Sequence, residues 1–252
     1  MGFYARLRYQ FRILTSLETS KYLKMPFQFD QNKLVYDLSL LLEDKWIPHF
    51  NTNGYNGNWN AISLYAPNGD TSNIFALSIS NSVISETPLL KKCNYFKEVI
   101  DSFKCPILTA RLLRLGVGAE IKPHSDHELG YEDGSFRLHI PILTNEKVEF
   151  ILDGTRLTML PGECWYTNVN YLHSVKNSGQ SDRVHLVIDG ERNEWSDRLF
   201  FSMAPEESFM PTTEKDQSPE EILKIIEELK RSNEPIAQQL IKELQQKLDH
   251  QD

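Results

Sequence analysis

The chain has 252 residues, of which 40% are hydrophobic, and a formal net charge of −8 at pH 7. A chain of this length and apolar content can bury a full core in one domain, which excludes an intrinsically disordered protein. Its acidic balance, without a basic stretch interleaved with aromatic residues, excludes a general nucleic-acid binder, because such proteins need cationic side chains for the phosphates.

The cysteines and the hydropathy pattern bear on the compartment. Cys93, Cys105 and Cys164 are odd in number and have no C-x-x-C spacing, so they predict neither a disulfide framework nor a cysteine-rich zinc module. No apolar run approaches the roughly 18 residues that a membrane helix needs. We therefore predict a protein without a transmembrane segment in a reducing cytoplasm.

Residues 1–25 form a basic N-terminal extension. Five basic side chains stand there against one acidic residue, namely Arg6, Arg8, Arg12, Lys21 and Lys24 against Glu18. A targeting peptide, a helix on a membrane surface and an ordinary solvated helix all have this composition. We favour the solvated helix, since a secretory signal would need an uninterrupted apolar region.

Residues 26–202 are predicted to form a mainly β domain, because short apolar or alternating runs recur between turn residues. The predicted strands are Ile107–Leu115, Phe136–Leu143, Val148–Leu152, Arg156–Leu160, Cys164–Thr167 and Val184–Ile188. Turn sequences such as Asp153-Gly154 and Pro161-Gly162 separate them at the spacing typical of a sandwich or barrel. The prediction is a jelly roll, with amphipathic helices at Leu34–Leu42 and Lys91–Phe103.

The C-terminal part changes character. A proline- and charge-rich linker at 203–217 precedes a helical hairpin at 218–252, with helices predicted near 219–231 and 235–249. Ile222, Ile225, Ile226 and Leu229 give the first helix an apolar stripe. The hairpin has three possible places: packed on the core, which we favour, over the site, or against a partner chain in an oligomer.

The residues His124-Ser125-Asp126 and a single downstream His173 are the candidate metal ligands. One residue between His124 and Asp126 lets both side chains project to one side of an extended segment. Two neutral imidazoles and a carboxylate can occupy one face of Fe(II) and leave positions open for a co-substrate and dioxygen. An H-x-D tripeptide is a weak signal alone, because a lone histidine is more often a hydrogen-bonded core residue.

Two predicted strands carry an arginine and a histidine on the face opposite their apolar residues. Arg183 and His185 alternate with apolar residues in one strand, and Arg137 and His139 do so in the other. A buried guanidinium costs free energy unless an anion meets its donors, and a carboxylate matches their geometry. For either arginine alone, a structural ion pair with an acidic neighbour such as Glu120 or Asp133 explains the pattern equally well.

The stretch from about Ala110 to Trp195 resembles the aspartyl/asparaginyl β-hydroxylase family of Fe(II)- and 2-oxoglutarate-dependent dioxygenases. The motifs that carry the resemblance are, in order, His124-Ser125-Asp126, Asp133-Gly134-Ser135-Phe136-Arg137-Leu138-His139-Ile140-Pro141, Pro161-Gly162-Glu163-Cys164-Trp165-Tyr166, His173-Ser174-Val175-Lys176-Asn177 and Arg183-Val184-His185-Leu186-Val187-Ile188-Asp189. Upstream, the segment from Gly57 to Tyr65 is similar to the one before the barrel of bacterial free-proline hydroxylases.

The resemblance implies a double-stranded β-helix, the cupin-like form of the jelly roll, with flanking N- and C-terminal helices. It implies that His124, Asp126 and His173 bind Fe(II) and that Arg183 anchors the distal carboxylate of 2-oxoglutarate, the co-substrate that is consumed with O2. It also places Arg137 and His139 at positions that contact the co-substrate or the substrate carboxylate, without dividing these tasks between them. Either residue has a structural role as its alternative.

The substrate is the open part of the prediction. The family favours hydroxylation at the β-carbon of an aspartyl or asparaginyl side chain in a peptide or protein. Asp126 departs from the vertebrate members, which resemble the pattern but lack the metal-binding carboxylate, and this departure favours the bacterial branch. The alternative is therefore a free amino acid hydroxylase of the proline type.

Two further alternatives belong to other classes of protein. One is a jelly-roll binding protein whose metal is structural, and the other is a zinc- or manganese-dependent cupin-like enzyme with the same ligands. Arg183 separates these classes, because a 2-oxoglutarate enzyme needs a carboxylate clamp, whereas a zinc hydrolase needs a general base beside bound water.

Overall fold

Two antiparallel β-sheets form the centre of the molecule, seen in a computed structural model that describes residues 19–76, 82–210, 219–231 and 235–249. The strands of these residues are β1 (Tyr22–Gln28), β2 (Ile47–Pro48), β3 (Tyr55–Asn56), β4 (Trp59–Pro67), β5 (Ile84–Glu86), β6 (Ile107–Leu115), β7 (Glu120–His124), β8 (Ser135–Leu143), β9 (Val148–Leu152), β10 (Thr155–Leu157), β11 (Glu163–Thr167), β12 (His173–Asn177) and β13 (Arg183–Glu191). The larger sheet has the order β1-β11-β8-β13-β6-β4-β2 with β5 beside β4, and the smaller sheet has the order β10-β9-β12-β7-β3. This arrangement confirms the predicted mainly β jelly roll.

Five α-helices within the described residues flank the sheets. They are α1 (Gln31–Ser39), α2 (Asn94–Asp101), α3 (Glu194–Met203), α4 (Pro219–Leu229) and α5 (Pro235–Asp249), and single 3-10 turns lie at Leu90–Lys92, Tyr131–Asp133 and Glu206–Phe209. Helix α1 begins three residues before its predicted start, because the Asp30 side chain caps it by accepting hydrogen bonds from two backbone amides. None of the described helices is both long and apolar enough to cross a membrane.

The larger sheet has two different faces, as the alternation in its central strands predicts. Its outer face contributes Val184, Leu186 and Ile188 to the largest apolar cluster, which is completed by side chains of α1, α2 and α3. The inner face lies opposite the smaller sheet, where a second cluster around Leu115, Ile121 and Phe150 joins the two sheets. The helices therefore cover the apolar face, and the polar side chains of β8 and β13 turn into the space between the sheets.

Several elements were not predicted, and two of them cross the predicted boundaries of the domain. Strand β1 runs through residue 25, and Met25 is buried in the main cluster. Helix α3 ends at Met203, and Phe209 in the turn that follows is fully buried in the same cluster. The packed part of the chain thus begins before residue 26 and extends past residue 202, while residues 211–218 of the predicted linker lie outside the described residues.

The C-terminal helices α4 and α5 pack against each other and against the jelly roll. Ile222, Ile226 and Leu229 of α4 form an apolar cluster with Leu240 of α5 and with Phe75 from the loop after β4. The hairpin thus packs on a loop of the jelly roll, in an apolar cluster separate from the main core. An oligomer formed through these helices stays a prediction.

Candidate active site

The three predicted metal ligands come together where β7 ends and β12 begins, on neighbouring strands of the smaller sheet. His124 at the end of β7 lies directly opposite His173 at the start of β12 in the antiparallel ladder. One ligand atom from each of His124, Asp126 and His173 lies within 4.8 Å of the others. The sheet register therefore joins two histidines that are far apart in sequence.

The imidazole rings of His124 and His173 are both oriented by a hydrogen bond at Nδ1, which leaves Nε2 available. His124 Nδ1 lies 2.8 Å from the carbonyl oxygen of Lys122, and His173 Nδ1 lies 3.0 Å from that of Tyr171. A carbonyl can only accept, so we assign the ring proton to Nδ1 in each case. The unprotonated Nε2 atoms remain for a metal, which is the usual arrangement of histidine ligands.

Asp126 follows β7 in a loop and is oriented by two contacts. Its backbone N–H donates to the carbonyl of Val169 over 2.8 Å, and its Oδ2 accepts from Arg137 Nη1 over 2.5 Å. The other oxygen, Oδ1, lies 3.7 Å from His124 Nε2. Burial alone would raise the pKa of Asp126, but Arg137, His173 and His124 outweigh it and hold the pKa well below its ordinary value.

This donor set fits an open divalent metal centre. Burial lowers the pKa of His173 to about 4, a shift that the nearby Asp126 carboxylate only partly offsets. The imidazole is therefore neutral near pH 7, as a metal ligand must be. Two imidazoles and one carboxylate on one side of an ion are typical of non-haem Fe(II) oxygenases, and zinc or manganese accepts the same ligands.

Arg183 is unusual because it is a buried charge without an ion-pair partner among the described residues. Its side chain is 2% exposed, its Nη2 donates to His185 Nδ1 over 2.9 Å, and its Nε has no hydrogen-bond partner. No carboxylate of the described residues forms an ion pair with it, and burial lowers its pKa to about 9. A guanidinium kept from water without an anion is costly, so this position calls for a bound carboxylate.

Arg137 differs from Arg183 because carboxylates already surround it. Its Nε and Nη2 donate to the two oxygens of Asp189 over 2.7 and 3.2 Å, in addition to the contact with Asp126. These partners are not Glu120 or Asp133, the acidic neighbours that the sequence suggested. The contact of Arg137 with a co-substrate or substrate stays a prediction, and its observed contacts give it a second task in orienting Asp126.

His139 lies on the inner face next to Arg137 and Arg183. Neither of its ring nitrogens has a hydrogen-bond partner, and burial, followed by the charge of Arg183, holds its pKa well below the ordinary value. Its ring lies 5.5 Å from that of Phe150 and 5.6 Å from that of His185. A neutral imidazole with an unmet donor beside Arg183 is available to a ligand, and the contact of His139 with the co-substrate or substrate stays a prediction.

A cavity of about 580 Å³ opens beside these residues. Its wall includes the three candidate ligands together with Arg137, His139 and Arg183, so all six predicted site residues border one space. Such a volume lies within the roughly 300–1,000 Å³ that small-molecule sites have. The wall also includes Lys224 and Ile225 of α4 and Leu244 of α5.

Three residues near the cavity were missed or set aside from the sequence. Arg111 of β6 donates to Asp189 over 2.7 Å, and Asp189 is itself fully buried. His49 lines the cavity and stacks on Trp59 with ring centroids 3.5 Å apart. Arg111, one of two arginines in the mostly apolar run of β6, was a usable signal. His49 reaches the site through the pairing of β2 with β4, which no local pattern reveals.

A family model described as aspartyl/asparaginyl β-hydroxylase matches residues 29–193. The chain belongs to this family. The matched region contains all six predicted site residues and confirms the resemblance on which their roles rest. The matched region ends before α4 and α5.

Two of the curated relatives of the chain are named as L-proline hydroxylases. The chain is 29% identical over 166 residues to L-proline cis-4-hydroxylase of Rhizobium meliloti (strain 1021), covering 65% of this chain and 58% of that enzyme. It is 24% identical over 168 residues to L-proline cis-3-hydroxylase 2 of a Streptomyces species, covering 64% of this chain and 57% of that enzyme. The chain thus spans less than two thirds of the length of these relatives.

Among solved structures, the chain is similar to an oxidoreductase of the 2OG-Fe(II) oxygenase family from Burkholderia pseudomallei. The two are 14% identical with a TM-score of 0.47, over 76% of this chain and 93% of that chain.

Proposed function

We propose that this protein is an Fe(II)- and 2-oxoglutarate-dependent dioxygenase that hydroxylates a free amino acid. The observation that carries the proposal is the buried Arg183, which has no carboxylate partner among the described residues and borders the same cavity as the three metal ligands. A metal-binding jelly roll without a 2-oxoacid co-substrate has no need of such an arginine, because burying it costs free energy.

Each residue of the site has a task in this proposal. His124, Asp126 and His173 hold the metal, and Arg183 binds the distal carboxylate of 2-oxoglutarate. Bound iron, with 2-oxoglutarate and dioxygen, supplies the oxidative decarboxylation to succinate and CO2 that is coupled to hydroxylation of a C–H bond. Arg137 fixes the orientation of Asp126, and the apolar walls of the cavity limit access of water.

The substrate that we propose is the alternative of the sequence analysis and not its first choice. Aspartyl or asparaginyl hydroxylation in a peptide was the first choice, but the curated relatives described above are named for hydroxylation of L-proline. The position of α4 and α5 in the cavity wall also favours a small molecule, because a peptide needs an open groove.

The test is an anaerobic titration of the Fe(II)-loaded protein with 2-oxoglutarate, followed by the visible metal-to-ligand charge-transfer band. We expect the band for the wild type and none for Asp126→Ala, which removes a ligand. Arg183→Ala should weaken 2-oxoglutarate binding by about 30-fold or more, since a buried charge-assisted contact contributes about 2 kcal/mol or more.

The matched control is Arg114→Ala, which removes a partly exposed arginine of β6 that pairs with Asp182. This variant should keep the band. Metal affinity, measured separately with zinc, should stay nearly unchanged in Arg183→Ala, and an equal loss of metal and 2-oxoglutarate binding would show that the role of Arg183 is wrong. Absence of the band in folded, iron-loaded wild type would favour zinc or manganese chemistry or a non-catalytic jelly roll.

A further inference from the structure

The C-terminal hairpin supplies part of the cavity wall from outside the family match. Lys224, Ile225 and Leu229 of α4 and Leu244 of α5 border the same space as the metal ligands. The match to the family ends at residue 193. This part of the wall therefore lies outside the residues that the family model matches, and it is a place where substrate choice can be set.

Aromatic side chains connect this wall to the jelly roll. The Phe50 and Phe75 rings have centroids 4.6 Å apart, and both pack into the apolar cluster of the hairpin. Phe50 also stacks on His49 at 4.4 Å, and His49 stacks on Trp59 of β4. Contacts between rings at these distances add to the apolar burial, so the hairpin is held on the sheet that carries Arg111 and Arg183.

The chemistry of the hairpin wall differs from that near Arg183. Arg183 has the imidazole of His185 as a hydrogen-bond partner and also lies over the Phe150 ring, and His139 stands next to His185. The hairpin offers the hydrocarbon side chains of Ile225, Leu229 and Leu244 and a single exposed cation, Lys224. A ligand in contact with this wall gains free energy by removing apolar surface from water, which requires a hydrocarbon part of its own.

The charges around the cavity favour an anionic group on the same ligand. Four cations, Arg111, Arg137, Arg183 and Lys224, stand against three carboxylates, Asp126, Glu128 and Asp189, among the described residues. A divalent metal and doubly charged 2-oxoglutarate cancel each other. One positive charge therefore remains, and it can pair with the carboxylate of a zwitterionic amino acid.

We propose that the hairpin wall binds the hydrocarbon part of the substrate, and that the substrate is a free amino acid with an apolar side chain larger than the proline ring. The inference rests on the proposed function and narrows its substrate class. The cavity of about 580 Å³ lies within the range of small-molecule sites, and 2-oxoglutarate bound at Arg183 takes up part of it, so the apolar hairpin wall is the surface left for the substrate.

The experiment compares L-proline, L-leucine, L-phenylalanine and L-leucinamide. Binding is measured by calorimetry on the zinc-loaded protein saturated with 2-oxoglutarate, and turnover by succinate formation with Fe(II). We expect leucine and phenylalanine to bind about tenfold or more tightly than proline, the discrimination that apolar contacts of this size supply. Leucinamide, which lacks the carboxylate, should bind more weakly than leucine.

Two variants, Ile225→Trp and Leu244→Trp, fill the wall from two different helices. Each should reduce the affinity for phenylalanine by about tenfold or more and change that for proline by about twofold or less. The control is Leu223→Trp, because Leu223 lies on the same helix as Ile225 but is 53% exposed and does not border the cavity. Thermal melts show whether each variant is folded. If Ile225→Trp on α4 does not fold, Leu244→Trp on α5 provides the same test.

Three results would overturn the inference: tighter binding of proline than of leucine and phenylalanine, binding of none of the free acids, or equal effects of Ile225→Trp and Leu223→Trp. A failure of the proposed function is recognised separately, because the wild type would then not bind 2-oxoglutarate at all.

Discussion

Asp189 is the carboxylate that keeps two buried arginines together. It lies directly opposite Arg137 in the β8–β13 ladder and opposite Thr109 in the β6–β13 ladder. Burial raises its pKa, but Arg137 and Arg111 outweigh this effect and hold the pKa below the ordinary value. Asp189 thus positions Arg137, which in turn orients Asp126.

We expect Asp189→Asn to lower the free energy of unfolding of the metal-free protein by about 3–5 kcal/mol, because it leaves buried guanidinium groups without their carboxylate. The control is Asp182→Asn, whose ion pair with Arg114 is partly exposed and should contribute about 1 kcal/mol or less. Urea unfolding at pH 7 measures both, and equal losses would contradict the expectation. Since the folded pKa is depressed, the contribution of Asp189 is present above about pH 4 and is lost as the pH falls through the folded pKa.

The same residues show what a single sequence can predict. Period-two alternation placed Arg183 and His185 on one face, because that pattern depends only on the strand itself. The partner of Arg137 depends on the register between β8 and β13, which the sequence of either strand does not specify. Local patterns therefore predicted the hydrogen-bond donors Arg137 and Arg183, but not that Asp189 is the acceptor of Arg137.

Strand β1 is the element that the sequence concealed. It joins the edge of the larger sheet by pairing with β11, within a segment whose charge pattern predicts a solvated helix. Its side chains alternate in burial, and Met25 is the one that is fully buried. Tertiary packing of this one residue outweighs the polar composition around it, since intrinsic propensity decides little at an edge position.

We expect Met25→Ala to lower the free energy of unfolding by about 2–5 kcal/mol, as other truncations of buried methionine do. The control on the same strand is Gln28→Ala, which changes an exposed side chain and should alter stability by about 0.5 kcal/mol or less. Chemical denaturation measures the free energy of unfolding of both variants and of the wild type. If Met25→Ala were as stable as Gln28→Ala, β1 would not be part of the packed domain.

At the scale of the whole molecule, the space between the sheets holds neutral histidines that are kept from water. Burial, followed by the charge of Arg183, holds the pKa values of His139 and His185 well below the ordinary value. The jelly roll itself followed from the spacing of turns and strands. The position of the hairpin at the cavity did not, because an amphipathic helix shows that it has a buried face but not which surface covers it.

We expect the free energy of unfolding of the metal-free protein to fall as the pH drops below about 6.5, by up to about 1.4 kcal/mol per pH unit for each such histidine. Stability falls on acidification because these histidines take up protons in the unfolded chain at a higher pH than they do in the folded protein. Urea unfolding at pH 7, 6 and 5 measures the slope for the wild type and for His139→Phe, which should have a smaller slope. Parallel curves for the two proteins would show that His139 does not contribute.

The placement of His124 and His173 directly across one ladder has a consequence beyond catalysis. A metal bound by both histidines would cross-link two neighbouring strands of the smaller sheet. A shift of one residue in the register of either strand would turn its histidine to the opposite face of the sheet. Any ion that binds the folded protein but not the unfolded chain stabilises it by mass action. The supply of iron would then govern the fraction of molecules that can react and also the fraction in which β7 and β12 stay paired.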